Sequence, residues 1–253
     1  MYKNFLSLLF KFCYNLQSFV YKIIILKVVP IRKDNIAVLA KGKSLKFLYS
    51  KFNYKIKNLD LLILTNFKNN DILDFFLKKY ISEIPVTILG NITEPLMSLI
   101  SCYKLKIYEV YVQRFLSKKP NTIGLNSKRK NFRLNSYGLK VNYLNKYVQN
   151  YYYRFKNQRK HTNCGLFGVL LACSYKPKNI FIFGIDFYET EYFNMKLLKN
   201  MDLKEKKRLY SLKEWYKKFL IRIIKDHAQI NFIIFTSSNF KYQSKNLKIY
   251  QNF

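Results

Sequence analysis

Histidine is almost missing from this chain. Among 253 residues there are two, His161 and His227, which argues against any His/Cys metal cluster by counting alone. Four cysteines, Cys13, Cys102, Cys164 and Cys173, form no C-x-x-C pair. A chain of this length builds a core without covalent staples, so a reducing, cytoplasmic setting is expected. Acidic residues are scarce too, 14 Asp plus Glu against 46 Lys plus Arg, a formal charge of +32. Zinc-finger spacing, an RNP-type aromatic motif and a helix-turn-helix pattern are all lacking, so no specific nucleic-acid module is legible. No clean apolar run is long enough to span a bilayer. Lys3, Lys11, Lys22 and Lys27 interrupt the apolar N-terminus. It carries no small-residue cleavage site, so it does not read as a signal peptide.

What is present fits a folded protein. The chain is 49% hydrophobic, enough to bury a sizeable core in one large domain or two small ones. The charge suits a polyanionic partner: nucleic acid, an anionic membrane or an acidic glycolipid. It also fits a coding sequence poor in G and C, because Lys, Asn, Ile, Tyr and Phe are abundant together. Phe5, Leu9, Phe12, Leu16, Phe19 and Ile23 recur three and four apart, with Lys11, Asn15, Ser18 and Lys22 opposite. Residues 1–30 are therefore a basic amphipathic segment. It would lie in a membrane interface, or dock on its own domain or on a second subunit of a homo-oligomer. Residues 31–253 form the remaining domain.

That domain alternates strands and helices, the pattern of an α/β fold with a mostly parallel sheet. Asn35 to Ala40 is a short buried strand, Lys41-Gly42-Lys43-Ser44 a turn, and Leu45 to Ser50 the start of a helix. Leu61 to Leu64, ending at Asn66, and Pro85 to Leu89, ending at Asn91, are further buried strands. Helices are expected over Asp71 to Tyr80 and Glu94 to Cys102. Leu105 to Val112 alternates as an edge strand would. Ser117 to Asn135 is a basic, turn-rich loop. Tyr151, Tyr152, Tyr153 and Arg154 would stack on bases or pack on the sheet.

The organising stretch runs from Thr162 to Tyr188. Thr162 or Asn163 caps a small-residue helix through Cys164 and Gly165, leaving N–H groups for an anion. Pro177 turns the chain, Ile180 to Phe183 is a buried strand, and Gly184 opens the loop carrying Asp186, Phe187 and Tyr188. Glu189 to Met201 reads as a short lid containing Tyr192. Asp202 to Glu205 is a capping box opening a long helix, whose apolar face carries Leu209, Leu212, Tyr216, Phe219, Ile223 and His227. Asn231 to Phe235 reads as the last strand. Ligands of open α/β sheets sit at the carboxyl ends of the strands, so the active site is expected where Ser44, Asn66, Asn91 and Asp186 converge.

Here a family becomes visible. Gly184-Ile185-Asp186-Phe187-Tyr188 matches a G-I-D-F-Y signature letter for letter, and Ile36 to Leu45 is similar to an opening strand with an N-G-P-S-L turn. Together with the helix at Gly165 they resemble the bacterial sialyltransferases that modify lipooligosaccharide, glycosyltransferase family forty-two. The resemblance implies a single Rossmann-like, GT-A-type domain with a lid. It implies transfer of sialic acid from a CMP-sugar donor to a glycan acceptor, at the inner membrane face, with neither metal nor other cofactor. The lack of any D-x-D agrees with that. Tyr188 and Tyr192 would hydrogen-bond the departing phosphate. Lys41, Gly42, Ser44, Asn66, Asn91, Asn163, Cys164, Gly165, Gly184, Asp186 and Phe187 would line the donor site. Asp186 would fix loop backbone or the nucleotide, or simply cap the loop.

The chain departs from the family in its base. Asn194 to Trp215 holds no histidine where the family places one. His227, at the end of the long helix, reads as a core or C-cap residue, which leaves His161 as the substitute. Lys41 stands where the turn has asparagine, and the lid is shortened. Two rivals follow: a relative that binds a nucleotide sugar without turnover, and a basic nucleic-acid-binding protein.

Overall fold

Apolar runs without alternation make strands that need cover on both faces, and such strands pair in parallel. The computed structural model describes residues 33–50, 58–67, 84–90, 107–112, 141–143, 147–148, 151, 164–190 and 202–251. Eight strands appear in them: β1 (Asn35–Leu39), β2 (Leu61–Thr65), β3 (Val86–Gly90), β4 (Ile107–Val112), β5 (Val141–Tyr143), β6 (Asn179–Phe183), β7 (Asn231–Phe235) and β8 (Leu247–Tyr250). They form one sheet in the order β5-β4-β3-β2-β1-β6-β7-β8, and every pairing is parallel.

Two expectations are corrected. The alternating strand β4 is interior, because the short β5 pairs along its outer side. Asn231 to Phe235 is not the last strand, because β8 follows and forms the edge. Both omitted strands are short and broken by a polar residue: β5 is Val-Asn-Tyr, and in β8 a lysine sits between Leu247 and Ile249. The expected helices over 71–80 and 94–102, the segment 1–30 and the basic loop lie outside the described residues.

Register explains the two-sided core. Val38 stands beside Ile63 and Ile182, Ile182 beside Ile234, and Ile234 beside Ile249. That row joins the main core under two helices, α2 (Cys164–Ser174) and α3 (Leu203–Asp226). The next row, Leu39, Phe183, Phe235 and Tyr250, points the other way, as period-two geometry requires. There the rings of Phe183 and Phe235 stack at 4.5 Å, and those of Phe235 and Tyr250 at 4.9 Å. Phe47, which opens α1 (Phe47–Ser50) after a 3-10 turn at Lys43–Lys46, approaches Phe235 on that side.

Helix α2 is apolar all round, and its first ten residues are buried, as a helix inside a core should be. Glycine lets it sit close to the sheet. A Cβ on Gly168 would come within 2.6 Å of Thr65 and 3.0 Å of Val38. By contrast α3 is two-faced: Leu209, Tyr216, Phe219, Leu220, Ile223 and Ile224 are buried, while Lys204, Lys207, Lys218 and Lys225 are exposed. Among the described residues no helix is long and apolar enough to cross a membrane.

Candidate active site

The strand order creates a switch point. From β1 the chain steps outward to β5, then re-enters on the other side of β1 as β6. Loops leaving β1 and β6 therefore diverge at the carboxyl rim, where open α/β sheets hold ligands.

Backbone bonds carry the β1–β6 pairing past the strands. The Ala40 N–H donates to the Phe183 carbonyl at 2.8 Å, and the Gly42 N–H to that of Gly184 at 2.8 Å. Only glycine fits at either position. A Cβ on Gly42 would lie 2.5 Å from both Gly184 O and Asp186 Oδ2. Gly184 has φ +74°, and a Cβ there would meet the Ala40 carbonyl oxygen at 2.0 Å. The turn and the signature are thus one interlocked unit.

Ser44 and Asp186 bolt it together. The buried Ser44 hydroxyl accepts the Gly184 N–H at 3.0 Å, and the Ser44 N–H donates to Asp186 Oδ2 at 2.9 Å. That oxygen also accepts from the Thr190 hydroxyl at 3.0 Å. Oδ1 accepts from the Thr236 hydroxyl at 3.0 Å and the Ser237 N–H at 2.9 Å. Among the roles open to Asp186 in the sequence, these four bonds serve the loop backbone and its hydroxyls. Thr236 and Ser237 were missed by sequence reasoning. Their signal was the one used for the other strands, small polar residues directly after a buried run.

Phe187 and Tyr188 both have left-handed backbones, φ 51° and 60°, which is costly for aromatic residues. Three contacts hold the pair. The Phe187 ring is buried 5.2 Å from that of Phe240. The Glu189 N–H donates to the Asp186 carbonyl at 2.9 Å. The half-buried Tyr188 ring rests 5.9 Å from that of Tyr216 on α3. The Glu189 carboxylate, also unforeseen, meets Lys213 at 2.8 Å, Lys217 at 2.7 Å and the Asn239 N–H at 2.6 Å.

Burial alone pushes the Glu189 carboxyl up. Hydrogen bonds from Lys213, Lys217 and the Asn239 N–H outweigh that and hold it below its ordinary value. A depressed carboxyl stabilises the fold above its unfolded pKa, about 4.3 for glutamate, and loses that contribution as pH falls through the folded value. Glu189→Gln is therefore expected to lower unfolding stability by about 1 kcal/mol at neutral pH, modest because the amide oxygen still accepts the Asn239 N–H while the attraction of the two lysines is lost. The gap from the parent closes on acidification below about pH 4. Denaturant titrations at pH 7, 5 and 3.5 check this, and a gap that widens in acid would contradict it.

On the other side of β1, Asn66 follows β2 with φ 60°, its N–H donating to the Leu89 carbonyl at 2.6 Å. Its half-buried side chain stands at the rim beside the end of β3, after which Asn91 comes. The first turn of α2 reaches the same place. Cys164 donates its thiol to Leu89 O at 3.9 Å, and burial pushes that thiol up, so it is a packed group and no nucleophile. A Cβ on Gly165 would lie 3.1 Å from Ile185. Lys41 is half-buried in the β1 turn. The rim thus gathers Lys41, Gly42, Ser44, Asn66, Cys164, Gly165, Gly184, Asp186, Phe187 and Tyr188. Asn91, His161, Asn163 and Tyr192 lie outside the described residues.

His227 is elsewhere. It is buried where α3 ends, at the amino-terminal rim. Its Nδ1 donates to the Ile223 carbonyl at 2.6 Å, and Nε2 pairs with the Tyr147 hydroxyl. This is the core and C-cap histidine that its helical position suggested. Nearby Tyr151 is buried, with its hydroxyl donating to Asp226 at 2.8 Å, so it packs on the domain and is not offered to a base. Among the described residues no three His, Cys, Asp or Glu side chains converge to hold a metal ion.

No family model and no curated protein matches the chain. Solved structures share its fold. The monofunctional alpha-2,3-sialyltransferase Cst-I from Campylobacter jejuni superposes with a TM-score of 0.51 at 15% identity, covering 85% of this chain and 80% of that one. A point variant of the sialyltransferase CST-II in complex with CMP gives 0.52 at 16%, covering 84% and 86%. A variant of alpha-2,3/8-sialyltransferase CstII gives 0.50 at 16%, covering 84% and 87%. At these identities the likeness is one of fold.

Proposed function

We propose that this chain is a glycosyltransferase of the sialyltransferase type. It transfers sialic acid or a related acidic sugar from a CMP-linked donor to a glycan acceptor, without a metal. The observation that carries the reading is the interlocked rim, where the G-I-D-F-Y loop is bolted to the glycine turn of β1 at the switch point. A fold shared with a sialyltransferase solved in complex with CMP supports it. A donor bearing both a carboxylate and a phosphate suits a chain of charge +32.

In this reading Lys41, Asn66, Asn91 and the N–H groups at Asn163, Cys164 and Gly165 hold the donor. Tyr188 and Tyr192 donate to the phosphate as the glycosidic C–O bond breaks and CMP leaves. The acceptor hydroxyl oxygen forms the new bond to the anomeric carbon and gives its proton to His161. The acceptor is a lipid-linked glycan of the lipooligosaccharide type, met at the inner face of the cytoplasmic membrane.

A second reading, donor binding without turnover, is favoured by one finding. His227, the one histidine among the described residues, is locked at the opposite end of the sheet. Measuring CMP binding and CMP release from CMP-sialic acid, with and without a panel of oligosaccharide acceptors, separates the two. Release that rises with acceptor supports transfer, and binding without release supports the second reading. A chain that does not bind CMP sinks both.

A further inference from the structure

Helix α3 outruns the sheet. Its 24 residues rise about 36 Å, against about 17 Å for a five-residue strand. It meets the site loop at Lys213, Tyr216 and Lys217. Leu203 lies about 15 Å further along the axis, on the side of the carboxyl rim.

What that projecting end displays is not explained by folding. Leu203 is 76% exposed and Tyr210 57%, the two most exposed large apolar side chains among the described residues. Seven residues apart, they fall within about 20° of each other on the helix. Lys204 and Lys207 are exposed beside them and Lys206 half-exposed. From Asp202 to Tyr210 four basic residues, Lys204, Lys206, Lys207 and Arg208, stand against two acidic ones, Asp202 and Glu205. One turn beyond Tyr210 the stripe becomes acidic at the exposed Glu214, so the apolar and basic patch is confined to the first two turns.

We propose that these two turns lie in the interface of an anionic bilayer. Leu203 and Tyr210 enter the boundary between headgroups and acyl chains, and Lys204, Lys206 and Lys207 meet lipid phosphates. Apolar anchors flanked by cations fit that surface, because neither signal alone holds a protein there firmly. The inference deepens the transferase reading, on which its purpose rests: the contact would turn the donor rim toward a lipid-linked acceptor. The contact itself is independent of catalysis.

The test is co-sedimentation of the full chain with vesicles of 30% phosphatidylglycerol in phosphatidylcholine at about 150 mM salt. Leu203→Ser with Tyr210→Ser is expected to lower the partition coefficient about tenfold. Lys204→Gln with Lys207→Gln is expected to lower it by a similar factor or more. Lys245→Gln with Lys248→Gln, equal in charge but remote, should change it less than about threefold. All these side chains are exposed, so unfolding midpoints serve as the check that each variant folds. If the remote pair loses as much as the helix pair, attraction is diffuse and the proposal falls. It falls too if the apolar pair leaves binding unchanged, or if sedimentation velocity shows that this pair abolishes a dimer. Patch-dependent vesicle binding by a chain that never releases CMP keeps this inference and removes only the transferase reading.

Discussion

Tyr188→Phe is expected to lower turnover about 100- to 1,000-fold while changing donor affinity less than about threefold. The substitution removes one oxygen and little else. The ring stays beside Tyr216, and Phe187 still anchors in the core. The left-handed backbone at φ 60° is no harder for phenylalanine than for tyrosine. The fold therefore persists, and on the transferase reading the loss falls on the step in which negative charge grows on the departing phosphate. Single-turnover CMP release alongside equilibrium CMP binding measures the split. Equal losses in the two would make Tyr188 a binding group, and no loss in either would remove it from the reaction.

Asp186→Ala is expected to destabilise the fold by about 4 kcal/mol. The carboxylate is 3% exposed and accepts four hydrogen bonds, two from backbone N–H groups and two from hydroxyls. Removing it strands donors in a place water barely reaches. Asp186→Asn keeps the shape but turns one acceptor into a donor facing a donor, and should cost about 2 kcal/mol. Urea unfolding with an unchanged m-value is the measurement. A loss below about 1 kcal/mol for the alanine variant would mean that solvent substitutes for the carboxylate and the rim is not held as described.

These two predictions differ in how far the sequence alone supports them. Tyr188 was legible because a signature names it and a buried strand precedes it. The centre of the sheet was legible for a similar reason: Ile36 to Leu39, Leu61 to Leu64 and Ile180 to Phe183 are apolar on both faces. Strands β5 and β8 were not, because a short strand paired on one side needs neither length nor apolarity. The bolt formed by Ser44, Asp186, Thr236 and Ser237 joins residues up to 193 apart, and no local pattern encodes such a contact. Glu189 reads as one acid in a lid until Lys213 and Lys217 are brought against it by a helix that begins 14 residues later. His227 was placed correctly by helical period alone, since apolar neighbours at three and four residues set its face.

The pairing of β1 with β6 also governs when the rim comes into being. Leu39 and Phe183 are 144 positions apart, and closing a loop of that size is entropically slow. During synthesis β1 leaves the ribosome long before its second neighbour exists. Until Phe183 emerges, one side of β1 has no strand to pair with, and the glycine turn has no signature loop to lock into. Pocket assembly is thus a late folding event, and a nascent chain halted before β6 carries a sheet with an open flank.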